Sequence, residues 1–97
     1  MHVIARRSLK KFATRHPDAE DSLNAWFHEA RAASWKNTAE LKARYPWASI
    51  ISAERVVFNI CGNNYRLVTR INFESRTVFI RFIGTHSEYD RIDVKTI

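Results

Sequence analysis

Between Arg55 and Gly84 the spacing of apolar residues changes from helical to alternating, and two turn signals interrupt the alternation. This pattern restricts the fold more than any other feature of the chain. Gly62-Asn63 marks a tight turn between strands Arg55–Cys61 and Asn64–Ile71, and Glu74-Ser75 marks the tip of the next, which leads into Arg76–Gly84. Three strands joined by short turns form an antiparallel meander. If Cys61 faces Asn64 and Phe73 faces Arg76, then Val56, Phe58, Ile60, Tyr65, Leu67, Thr69, Ile71, Val78, Ile80 and Phe82 share one face. That face is nearly all apolar and needs a cover. The opposite face carries Arg55, Val57, Asn59, Arg66, Val68, Arg70, Phe79, Arg81 and Ile83. It is expected to stay open, and its four arginines with no opposing carboxylate read either as a solvated surface or as an anion-binding one. A slip of one residue in register would scatter them.

The cover lies upstream. Met1 to Ile4 has the form of a short first strand, and Arg6 to Arg15 reads as a helix with Ala5, Leu9, Phe12 and Ala13 at helical spacing. Its outer side holds Arg7, Lys10, Lys11 and Arg15, which is either an ordinary solvated surface or a phosphate-binding stripe. Pro17 suits the first turn of a second helix running to about Ala33, and Asp18, Glu20 and Asp21 complement its dipole. Leu23, Trp26, Phe27 and Ala30 form its apolar stripe and are expected in the core rather than stacked on bases. Asn37 followed by Glu40 signals the start of a third helix, which must end near Tyr45 because Pro46 disfavours helix before it. Trp47 begins an irregular connection, and Ile50 and Ile51 suggest a small edge strand. The expected fold is α+β: helices packed on one face of a small antiparallel sheet, in a single domain over residues 1–97.

Composition excludes several function classes. The single cysteine, Cys61, cannot form an internal disulfide, and no apolar run approaches the roughly 20 residues that cross a bilayer. A soluble, cytoplasmic protein with no membrane partner is expected. Four scattered histidines match no zinc spacing, so neither a metal nor another cofactor is expected. The formal charge of +6 favours polyanions such as RNA, DNA or anionic lipid without choosing among them.

The third strand stops at Gly84 and passes into Thr85-His86-Ser87-Glu88-Tyr89-Asp90, where proton-transfer residues crowd together. Thr85 and Glu88 have capping-box spacing, which accounts for them structurally and leaves Asp90 as a surface charge. His86 is not explained by capping. RNA cleavage without metal needs a base for the 2′-hydroxyl, positive charge at the phosphorane-like transition state, and an acid for the departing 5′ oxygen. His86 with Arg66 and Arg81 behind it supplies those parts, while a surface or core histidine remains the alternative.

The segments FNICGNNYRLV (Phe58–Val68) and FIRFIGTHSEYDRI (Phe79–Ile92) closely resemble the HigB toxins of bacterial type II toxin–antitoxin pairs, in the branch carrying a T-H-x-E-Y-D signature. The resemblance spans most of the chain, the helical half mainly in layout. It implies a RelE-like fold, an endoribonuclease that cuts messenger RNA in the ribosomal A site, and a HigA-like helix-turn-helix antitoxin. That antitoxin would neutralise the toxin and repress their operon, so operator DNA would be met only through the complex. Carried over residue by residue, the pattern falls on Arg66, Arg81, Thr85, His86, Glu88, Tyr89 and Asp90. It implies His86 as acid or base, Arg66 and Arg81 as phosphate and transition-state binders, and Tyr89 and Glu88 as supporting groups. Arg55 and Arg70 on the sheet and Arg7, Lys10 and Lys11 on the first helix are the further RNA-binding candidates. A competing class is a basic module that binds RNA or DNA without cutting it. A metal-dependent nuclease is disfavoured by the lack of carboxylates grouped along the sheet.

Overall fold

The computed structural model describes residues 1–97. The alternating stretch forms three strands, β3 (Arg55–Ile60), β4 (Tyr65–Asn72) and β5 (Thr77–Thr85), paired as the turns require: Ile60 faces Tyr65 and Asn72 faces Thr77. Cys61 and Gly62 take positive φ in the first turn and Arg76 does so in the second, which lets each short connection reverse the chain. Two short strands extend the sheet at its margins. β1 (His2–Ile4) pairs with the first residues of β5, and β2 (Ser49–Ile50) pairs with Val56 and Val57, giving the order β1-β5-β4-β3-β2. The β1–β5 pair is parallel, so the sheet is mixed rather than wholly antiparallel. The helical half of the chain supplies the long crossover that a parallel neighbour needs.

Helices α1 (Arg6–Arg15), α2 (Glu20–Ala32) and α3 (Thr38–Arg44) lie close to the bounds predicted from periodicity, with Pro17–Ala19 forming a separate 3-10 turn ahead of α2. Leu9, Phe12, Leu23, Trp26 and Leu41 join Val56, Phe58, Leu67, Ile71 and Val78 in one buried cluster between helices and sheet. Phe58 is its aromatic hub, met edge-on by Trp26 at 5.4 Å and Tyr45 at 5.1 Å. Asn37 caps α3 by accepting the Glu40 amide at 2.9 Å. The N-terminal ammonium donates to the carbonyls of Ala30, Arg31 and Ala33 and so satisfies the C-terminal end of α2.

Two features depart from the alternation. Thr69 faces Ile80 but Val68 faces Phe82, so Arg81 is an extra residue in β5, a bulge. Beyond it the faces exchange: Phe82 lies with Val68 on the side away from the helices, and Ile83, opposite Leu67, packs toward the core. The expectation that Phe82 belongs to the helix-covered face is thereby corrected. Nor is the other face left open. Arg55 donates to the carbonyls of Val94 and Ile97, and Arg81 Nε donates to Ile97 at 3.3 Å, so the segment after α4 (His86–Tyr89) crosses from β5 to β3. Val68, on the strand between them, is fully buried and Val57 nearly so, although neither touches the helices' core cluster.

Candidate active site

The site grows from the end of β5. Thr85 Oγ1 accepts the Glu88 amide at 3.2 Å and Glu88 Oε1 accepts the Thr85 amide at 2.8 Å, completing the expected capping box around α4. The hydrogen bonds from Thr85 hold the Glu88 carboxyl below its usual range. Glu88 is therefore a carboxylate at neutral pH, suited to shaping the turn and unsuited to donating a proton. The His86 amide donates to the Asn64 carbonyl at 3.3 Å, tying α4 to the β3–β4 hairpin.

His86 Nδ1 lies 3.1 Å from Asp90 Oδ2. A carboxylate can only accept, so this contact assigns a proton to Nδ1 and leaves Nε2 as the ring nitrogen not engaged by Asp90. Both side chains are more than half exposed, so the pair contributes orientation rather than stability. The i,i+4 spacing of His86 and Asp90 on a short helix was the legible signal for this partnership, and a reading of Asp90 as a mere surface charge misses it. Tyr89, three residues after His86, is partly exposed.

Arg66 faces Gly84 across the β4–β5 ladder, two residues before His86. Its Nη1 donates to the carbonyls of Asn63 at 2.9 Å and Tyr65 at 3.3 Å, which leaves Nε and Nη2 for an anion. Gly84 is needed for close packing: a Cβ there would stand 2.5 Å from Phe82 Cζ and 3.2 Å from Glu88 Oε1. Arg66, His86, Glu88, Tyr89 and Asp90 thus gather at one end of the sheet.

The remaining arginines do not join them. Arg55 and Arg70 face each other toward the opposite end, four residues of β4 or roughly 13 Å from Arg66. Arg70 Nε pairs with Glu54 at 3.2 Å, and Arg55 is held by the C-terminal segment, so the sheet face is not an uncompensated arginine cluster. Glu54 supplies the carboxylate that the face pattern lacks. Arg81 sits between these ends on the bulge. Of the α1 cations, Lys11 and Arg15 line a cleft of about 250 Å³ with Ile80–Ile83 of β5. Arg7 is exposed, and Lys10 lines a different cleft with Arg6, Glu20 and Asn24.

A buttress behind the tip has little sequence signal. The Tyr65 hydroxyl donates to Asp18 at 2.7 Å, and this bond, followed by burial, pushes the phenol up to about 12. His16 stacks on Phe12 at 4.3 Å between ring centroids and meets Tyr65 edge-on at 5.3 Å. Because Tyr65 faces Thr85, the Pro17–Ala19 turn is braced against the cap of α4.

Comparison with known proteins agrees with this architecture. Residues 19–92 match the model of the HigB toxin family, described as the RelE-like toxic component of a toxin–antitoxin system. The mRNA interferase toxin HigB of Escherichia coli K12 is 34% identical over 92 residues, covering 93% of this chain and 88% of that protein. The mRNA interferase HigB of Escherichia coli O157:H7 matches equally, and that of Escherichia coli O6:H1 is 23% identical over 94 residues, covering 95% and 91%. The chain belongs to the HigB family of RelE-like toxins, the toxic components of toxin–antitoxin systems.

Proposed function

We propose that this protein is a messenger RNA endoribonuclease that works on the ribosome without a metal, using the RNA's own 2′-hydroxyl as nucleophile. The observation that carries the reading is the His86–Asp90 contact of 3.1 Å on a capped helix beside Arg66. In the proposed step a base removes the 2′-hydroxyl proton, the 2′ oxygen attacks phosphorus, and the P–O5′ bond breaks as an acid protonates the leaving oxygen. The products are a 2′,3′-cyclic phosphate and a 5′-hydroxyl. His86 Nε2 carries one of the two proton transfers, and the Tyr89 hydroxyl, on the same side of α4, is the nearest candidate for the other. Arg66, with two nitrogens unengaged, binds the phosphate, and Arg81 with Lys11 and Arg15 guides the strand along the edge of β5.

The names of the relatives support RNA cleavage, and the family supports an antitoxin partner. We read that partner as a HigA-like helix-turn-helix protein, with operator DNA met through the complex, in the cytoplasm. The deciding assay is cleavage of a message on translating ribosomes in the presence of chelator. Wild type cuts it and leaves a cyclic phosphate. His86→Ala loses roughly 10²- to 10⁴-fold in rate with its melting temperature unchanged. RNA bound tightly but left whole by the wild type would make the protein a binding module instead.

A further inference from the structure

We infer that Trp47 is a stacking platform for a base of the single-stranded RNA, an inference that rests on the RNA-cleaving reading above. The other two tryptophans are buried, at 3% and 8% exposure, but Trp47 is 82% exposed, the most exposed large apolar side chain of the molecule. Its backbone is nonetheless firmly held. Pro46 precedes it, Ala48 beside it is buried, the Ala48 amide donates to Tyr45 at 3.0 Å, and Lys42 Nζ donates to the Ala48 carbonyl. A bulky ring set on an anchored turn and left in water is surface kept for a partner.

The surroundings select the partner. Trp47 borders a cleft of about 680 Å³ whose near wall is Arg44 and Tyr45 and whose far wall is Phe58, Asn59 and Asn63 of the β3–β4 hairpin. The cleft exists because β2 begins only at Ser49, which faces Val57, leaving β3 beyond Val57 with no strand on that side. The two exposed asparagines offer the paired donors and acceptors that match a base edge, and Arg44, ion-paired with Glu29, lines the near wall. The hairpin wall is also a wall of the candidate active site: the Asn63 carbonyl holds Arg66 and the Asn64 carbonyl holds the His86 amide. A strand crossing the hairpin lays one base on Trp47 and presents a phosphate to Arg66. An aromatic face accepts any base, so this contact adds affinity and register without choosing sequence.

Because Trp26 and Trp35 are buried, quenching of tryptophan fluorescence reports Trp47. The probe is a 2′-O-methylated adenosine hexanucleotide, which cannot be cut. Saturable quenching of the full-length wild type is expected; with the same hexanucleotide carrying a 5′ fluorescein, anisotropy should show Trp47→Phe binding within about twofold of wild type and Trp47→Ala binding about five- to a hundredfold more weakly. Circular dichroism and melting temperature confirm that both variants fold. No quenching in the wild type, or unchanged affinity in Trp47→Ala, overturns the inference. So does a Trp47→Ala variant that loses its antitoxin while holding the oligonucleotide normally, which would make the ring a protein contact. Failure here with a catalytically dead His86→Ala leaves the nuclease reading standing. Stacking with a His86→Ala variant that still cuts removes that reading and keeps the platform.

Discussion

At the scale of single residues, Gly84 shows how little room the site has. Gly84→Ala forces the Phe82 ring to move and presses on Glu88, so it should lower stability by about 1–3 kcal/mol, as overpacking does, and should slow cleavage. Adding Phe82→Leu should recover most of the melting temperature, because the nearest clashing atoms belong to that ring; a double variant no more stable than Gly84→Ala would refute the steric account. His86 and Asp90 are a second residue-scale case. Asp90→Asn keeps the shape but replaces an accept-only carboxylate by a neutral amide that can also donate to Nδ1, so the tautomer is no longer assigned and the pH profile of cleavage should change while the fold persists. The chemistry-bearing letters were legible because they cluster within a few positions. The bulge at Arg81 was not, because Phe82 and Ile83 are both apolar and the letters Arg-Phe-Ile-Gly satisfy either face.

Among the elements, α4 depends on its cap more than on its four residues, which are too few to hold a helix unaided. Its pH dependence follows from Glu88. The folded carboxyl titrates below its unfolded value, so the capping contribution is complete above the unfolded value near 4.5 and is lost as pH falls through the lower, folded one. Protection from amide exchange at Ser87–Tyr89, taken relative to the intrinsic rate at each pH, should therefore fall in acid before the sheet opens, and Glu88→Gln should flatten that dependence; identical protection in both proteins would exclude the mechanism. The α1 and α3 bounds were readable because an apolar period and a proline or cap coincide at their ends. The C-terminal segment was not, since Arg91–Ile97 has no apolar period and its only local signal is the turn at Asp93, while its course across the sheet is held by Arg55 and Arg81 reaching its carbonyls.

For the molecule as a whole, charge and layering set behaviour. No helix is long and apolar enough to cross a membrane. The net charge of +6 predicts that affinity for RNA falls steeply with salt, linearly in log–log form, and under the proposed path along β5 replacing Lys11 should lessen the slope by about one. A slope unchanged in Lys11→Ala would place the strand elsewhere. The helix-on-sheet arrangement was predictable from the alternation, and with the turn signals so was the register of β3 with β4 and that of β4 with β5 as far as Thr69 and Ile80. The parallel β1 was not, because strand direction at a margin is decided by where the crossover returns the chain.

The short β1 has one more consequence. It covers β5 only from Thr77 to Phe79, so the upper half of that strand is a free edge on which another chain's strand can pair, and free edges seed self-association. The extra residue at Arg81 falls within this uncovered length. By kinking the strand and breaking the regular spacing of its hydrogen-bonding groups, with Lys11 and Arg15 alongside, it makes the edge a poor template for a second copy. The irregularity that exchanges the faces of β5 also protects a small, basic, partly uncovered sheet from growing into a longer one.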